Sequence, residues 1–253
     1  MRKIFFLTFV LMLFFIYCSK KPPVVTPEIA SSDEALFKLG EAWMKKDPEK
    51  ARLYFRQVID TFPQSIYAQR AKLKLGDIYF NQGDEGSMIL ASSEYAEFIS
   101  LYPFSPLASY ARYQIAMTYY KKMFKPGRDQ TNTLKAVSEL EKVIADYPYS
   151  EEAKQAKEKL KICKNRYTEH IFLIGRFYYK TRAYEAAINR FKEALSYYSD
   201  FKKLDMLYYY LGDSFLKVGK KEEAFPYFSK IISDYPESKF AKKARKKLDK
   251  EFK

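Results

Sequence analysis

The chain is 253 residues long and 18% aromatic, with 23 Tyr and 21 Phe but only 8 Gly. That aromatic load excludes intrinsic disorder, and apolar residues at helical spacing make the chain all-α. The formal charge of +14 admits acidic partners or an anionic membrane surface but chooses neither, and the plain reading is solvated helix faces.

Arg2 and Lys3 precede an apolar run from Ile4 to Tyr17. Such a run is short for a bilayer span, which needs about 20 residues, and residues 1–17 have the shape of a secretory signal. The run ends at Cys18, followed by Ser19, Lys20-Lys21 and Pro22-Pro23. This layout resembles a bacterial lipoprotein signal, in which Cys18 is lipidated and becomes the first residue. Phe15 and Tyr17 depart from the usual box, which has Leu and a small residue there. An uncleaved signal anchor and ordinary secretion are the alternatives. Cys163 is then alone, and its helical setting makes it a small core residue. Residues 18–32 form a Pro-stiffened tether. Ser31 or Ser32 caps the first helix, with Glu34 in its opening turn.

Helix pairs follow. The phrase Tyr/Phe-Pro-x-Ser recurs at Phe62–Ser65, Tyr102–Ser105, Tyr147–Ser150 and Tyr235–Ser238, with a worn copy at Tyr198-Ser199. Before each copy, a small residue, two larger ones and the closing Pro (or Ser199) keep spacings of 4, 3 and 5. The sets are Ala51, Phe55, Val58, Pro63; Ala91, Tyr95, Phe98, Pro103; Ala136, Leu140, Val143, Pro148; Ala187, Phe191, Ala194, Ser199; and Ala224, Phe228, Ile231, Pro236. The partner helix of each pair carries Gly or Ala three residues before an aromatic, at Gly40, Gly76, Ala116, Gly175 and Gly212. Gly in a helix costs roughly 1 kcal/mol against Ala, so its recurrence points to close helix packing. These landmarks resemble the tetratricopeptide repeat, and five such hairpins imply a superhelical solenoid.

Two irregularities stand out. Pro148 to Gly175 spans 27 residues where three other repeats use 13. The surplus predicts an unusually long helix opening repeat four, dividing residues 33–150 (repeats 1–3) from 151–253 (repeats 4–5 and a basic C-terminal helix). A turn-forming loop is expected over Phe124–Thr133. The tail Lys239–Lys253 should form a polar capping helix; a phosphate-binding role for it is the lesser reading.

Catalytic chemistry is not legible. With one histidine, His170, there is no paired-His metal site, and no Cys-x-x-Cys or Gly-rich phosphate loop occurs. No metal, cofactor or enzyme is expected. Glu151-Glu152 and Glu222-Glu223 read as helix-start charges, and His170 beside Glu169 as a helix-surface or core side chain rather than a pH switch.

In repeats of this kind the first helix lines the concave face. The inward positions are then Phe37, Glu41 and Met44, then Leu73, Asp77 and Phe80, then Tyr113, Met117 and Tyr120. They describe an aromatic peptide groove, the alternative being plain core. In repeat four, Asn189 and Arg190 precede Phe191, and Arg190 can act as a fork donor to a partner's carboxylate.

Taken together, the lipoprotein-type N-terminus, the five repeats and the long helix resemble the BamD family of the outer-membrane β-barrel assembly machine. So do Arg128-Asp129-Gln130-Thr131 and the stretch Phe177-Tyr178-Tyr179 through Ala183 to Arg190. The resemblance implies a lipid-anchored protein on the periplasmic face of the outer membrane of a Gram-negative-type bacterium. It implies that the C-terminal repeats hold a POTRA domain of a BamA-like barrel protein, with Arg190 of the Asn189-Arg190 pair as a contact. It also implies that the N-terminal repeats meet signals of unfolded outer-membrane barrel proteins, alongside other assembly lipoproteins. Nucleic acid is not an expected partner. The alternative is another periplasmic repeat adaptor, in cell division or peptidoglycan coordination.

Overall fold

The recurring phrase Tyr/Phe-Pro-x-Ser acts as a turn and a cap together. In the computed structural model, which describes residues 31–197 and 200–252, the Ser N–H of all four full copies donates to the carbonyl of the leading aromatic. The distances are 2.9 Å at Ser65, 3.1 Å at Ser105, 3.0 Å at Ser150 and 2.9 Å at Ser238. Pro at the second position supplies the fixed φ that such a turn needs. Each Ser hydroxyl then accepts an N–H from the opening turn of the next helix: Tyr67, Leu107, Ala153 and Phe240. One phrase thus ends a hairpin and starts the next. The worn copy Tyr198-Ser199 lies outside the described residues, as do residues 1–30 with the signal, Cys18 and most of the tether.

The described residues form eleven helices: α1 (Asp33–Trp43), α2 (Pro48–Thr61), α3 (Ile66–Gln82), α4 (Glu85–Leu101), α5 (Ala108–Lys121), α6 (Thr131–Asp146), α7 (Glu151–Lys180), α8 (Tyr184–Tyr197), α9 (Leu204–Lys217), α10 (Lys221–Asp234) and α11 (Lys239–Glu251). They make an all-α, tetratricopeptide-type chain. Ser32 caps α1 by accepting from Ala35 N–H. The turn inside a pair is left-handed at Gly83 and Gly219, both with φ 81°, and at Arg182, with φ 64°. Glycine enters that region freely, whereas Arg182 does so at a cost.

Two compact units divide the chain, Met1–Ala71 and Lys72–Lys253, the boundary falling within α3. In the first unit α1 packs on α2. Its core holds Leu36, Phe37, Ala51, Phe55 and Val58, and Lys50 Nζ lies 3.9 Å over the Trp43 ring. Asp33, at the start of α1, accepts from the Ser65 hydroxyl. In the second unit each helix from α4 to α11 packs on the next in succession.

All fifteen apolar landmarks of the second helices are 0% exposed, from Ala51, Phe55 and Val58 through to Ala224, Phe228 and Ile231. The glycine landmarks face them. A Cβ at Gly40 would sit 2.6 Å from the Phe55 ring, at Gly76 2.6 Å from Tyr95, and at Gly175 2.6 Å from Phe191. Repeat three substitutes Ala116 and pairs it in one core with the non-aromatic Leu140. Side-chain volume is therefore exchanged between the two helices, as close packing requires.

The surplus before repeat four becomes α7, 30 residues long, or about 45 Å at 1.5 Å per residue. It packs on α6 on one side and α8 on the other, within the second unit. Cys163 lies buried midway, its Sγ 3.6 Å from Met123 Sδ. Burial pushes its thiol up to about 12, which removes the reactive thiolate. The loop expected over Phe124–Thr133 is shorter, because α6 already begins at Thr131. Asp129 causes this by accepting from both the Thr131 N–H and its hydroxyl. Ser238 opens α11 and its hydroxyl also donates to Asp205 of α9. Phe240, Ala241 and Ala244 bury one face of α11, and Lys239, Lys242, Lys243, Lys246 and Lys250 are exposed.

Candidate partner-binding site

The seven residues expected to line a peptide groove are sorted by burial. Phe37, Leu73 and Tyr113 are 1%, 5% and 8% exposed. Phe37 stacks against Phe55 and Tyr67, with Arg70 4.9 Å over its ring. These three are core residues and offer no surface to a ligand. Their register, three before the glycine, turns them into the interhelical seam. Met44, Phe80, Met117 and Tyr120 remain half-buried. In the second unit Lys121 Nζ lies 3.6 Å over Phe80 and Lys159 Nζ 5.1 Å over Tyr120. The accessible rings are thus fringed with ammonium groups, a mixed surface suited to a partner with both aromatic and acidic side chains.

Beside these rings the first helices carry buried polar knots. Asp77 accepts from the hydroxyls of Tyr95 and Tyr110, each at 2.7 Å. Burial first, then the Asp77 charge, pushes both phenols well above their ordinary value. In repeat five, Asp213 is 2% exposed, accepts from the Tyr179 hydroxyl and pairs with Lys247 Nζ at 2.5 Å. Bonded in this way within the chain, these carboxylates tie neighbouring helices together.

Asn189 and Arg190 both stand exposed on α8. The helix places them outward because Ala187, Ile188, Phe191 and Ala194 turn its other face into the core. Arg190 Nη1 is 2.6 Å from Glu193 Oε2, one turn on, and that bond raises the guanidinium further above its ordinary value. Exposed pairs of this kind contribute about 0–1 kcal/mol. A guanidinium has five N–H donors, so Arg190 can take a second carboxylate while keeping Glu193.

Tyr178 of α7 lines a hollow of about 240 Å³ together with Pro126, Gly127, His170, Leu173, Ile174 and Phe177. Phe177 is 62% exposed there. His170 Nδ1 lies 2.7 Å from the Pro126 carbonyl and pins the repeat-three loop to α7. His170 is therefore a structural tie on the helix surface. A wider hollow of about 380 Å³ near Lys125 and Arg166 has its acids occupied, Glu169 by Lys203 and Asp200 by Lys161. Among the described residues no group of His, Cys, Asp or Glu is arranged to hold a metal, and no helix is long and apolar enough to cross a membrane.

The tyrosine–aspartate knots, the Tyr178 hollow and the setting of Arg176 on α7 were not foreseen from sequence. The signal for Arg176 was present: it directly follows Gly175, the register in which Glu41, Asp77 and Met117 were named.

Comparison with known proteins points one way. A family model described as YfiO, outer membrane lipoprotein, matches residues 30–223. The outer membrane protein assembly factor BamD of Caulobacter vibrioides is 30% identical over 207 residues, which is 81% of this chain and 66% of that protein's length. That of Rickettsia prowazekii is 29% identical over 220 residues, 86% of this chain and 84% of its own length. The Haemophilus influenzae protein of the same name is 24% identical over 202 residues, 76% of each. The family match spans α1 to the start of α10, and this chain belongs to the YfiO/BamD family of outer membrane lipoproteins.

Proposed function

We propose that this protein is a non-enzymatic scaffold lipoprotein of an outer-membrane protein assembly complex, held at the periplasmic face by a lipid on Cys18. Its C-terminal repeats bind a POTRA domain of a BamA-like barrel protein. Its N-terminal repeats receive signals of unfolded barrel proteins, at Phe80, Met117 and Tyr120 in the second unit and, separately, at Met44 in the first, while Phe37, Leu73 and Tyr113 support their own helices from within. Other assembly lipoproteins complete the complex. The observation that carries this reading is Arg190, exposed beside Asn189 on α8, in the same repeat as the hollow on α7 lined by Leu173, Phe177 and Tyr178. Interfaces draw their anchors from arginine and aromatic side chains.

The test is co-purification of the tagged chain from detergent-solubilised membranes, with mass spectrometry of what it retains. A BamA-like protein is expected in the native sample and depleted in Arg190→Glu, which reverses the charge and still permits the helix. Purified Arg190→Glu should bind the isolated POTRA domain about tenfold more weakly at an unchanged melting temperature. Retention of division or peptidoglycan-linked proteins without a barrel partner would refute the reading, as would a fallen melting temperature with native affinity.

A further inference from the structure

Five first-helix residues directly follow the Gly or Ala landmark: Glu41, Asp77, Met117, Arg176 and Asp213. In the second unit both carboxylates of this register are satisfied from within, Asp77 by two tyrosine hydroxyls and Asp213 by Tyr179 and Lys247. Arg176 differs. Its guanidinium lies 5.8 Å from the Phe172 ring centroid and 5.6 Å from that of Tyr210, at the seam where α7 meets α9. Its Nε is buried with no hydrogen-bond acceptor. Among the described residues no carboxylate pairs with it.

Withdrawing a cation from water without a partner is costly. The two rings, inclined at 53° to each other, offset part of that cost. A guanidinium flanked by rings and already partly desolvated is set up for a planar acceptor that can take two parallel N–H bonds. A carboxylate has that geometry. Around it Tyr210 packs against Tyr179 and Tyr209, with centroids 4.9 and 5.9 Å apart, and all three rings are half-buried. This ring bed suits an apolar side chain next to the bound carboxylate.

We propose that Arg176, with Tyr179, Tyr209 and Tyr210, forms a receptor for a peptide carboxylate at the α7–α9 seam. It is separate from the Arg190 surface of α8 and does not depend on it. A terminal carboxylate and an aspartate side chain share the required chemistry.

The experiment uses the full chain and short fluorescent peptides ending in leucine, read by anisotropy. Leucine keeps the probe apart from the aromatic-ended signals assigned to the earlier repeats. Three probes are compared: the free acid, its C-terminal amide, and the amide with aspartate before the leucine. The free acid should bind about tenfold more tightly than the amide. Recovery of affinity by the aspartate probe would make a side chain the source, and its absence would make it the chain terminus. The preference should vanish in Arg176→Gln, weaken in Arg176→Lys and persist in Arg190→Glu. Equal binding of all three probes by the native chain overturns the proposal, and that comparison stands even where Arg176→Gln fails to fold. Persistence of the preference in a folded Arg176→Gln overturns it as well.

Discussion

At Gly175 one missing methyl group sets the distance between two helices. An added Cβ would lie 2.6 Å from Phe191 Cε1 and 2.7 Å from Cδ1, and Phe191, at 0% exposure, has nowhere to move. The gain in helix propensity from Gly to Ala, roughly 1 kcal/mol, is opposed by overpacking of about 1–3 kcal/mol. Gly175→Ala is therefore expected to lower stability by about 1 kcal/mol or more in urea denaturation. Gly212→Ala should be milder, since its nearest ring atom is at 3.2 Å. Gly127→Ala, with nothing within 4 Å, should be neutral. An equal effect at all three positions would detach the glycine landmarks from packing.

Among the elements, α7 is the one whose continuity matters most, because α6 and α8 pack on it from either side. Lys157 sits exposed between the buried Ala156 and Cys163, so a substitution there tests the backbone alone. Lys157→Pro removes a helical hydrogen bond and should cost about 3 kcal/mol, whereas Lys157→Ala should be silent by circular dichroism melting. Equal melting of the two would mean that the helix works as two segments. The existence of α7 was legible in the sequence as surplus spacing, and the hairpins as landmarks, because those patterns reflect backbone period and side-chain volume. The site was less legible. Phe37, Leu73 and Tyr113 read as groove residues with plain core as the alternative, since at helical spacing an apolar side chain serves core and groove equally well. Arg176 escaped notice because its neighbour Tyr210 is 34 positions away in sequence, and only the stacking of α9 on α7 brings them together. The Asp129 contacts that advance α6 to Thr131 are short-range, but turn-forming residues marked the loop without marking its end.

For the molecule as a whole, the tyrosine–aspartate knots predict how it fails in alkali. Tyr95, Tyr110 and Tyr179 have phenols pushed up by burial first and then by Asp77 or Asp213. A raised folded value means the folded chain holds these protons more tightly. Their stabilising contribution is complete below the unfolded value of about 10 and is lost as pH rises through the folded values. Spectrophotometric titration should show a delayed ionisation step that coincides with loss of helical circular dichroism. Ionisation of every tyrosine in one early step with the helices intact would contradict the burial of these hydroxyls. All three knotted tyrosines belong to the Lys72–Lys253 unit, whereas the sole tryptophan of the chain, Trp43, belongs to Met1–Ala71. Indole emission therefore reports on the first unit alone, while helical circular dichroism reports on both. A single denaturation, followed by both signals without any introduced dye, can measure whether the two units melt together or in turn.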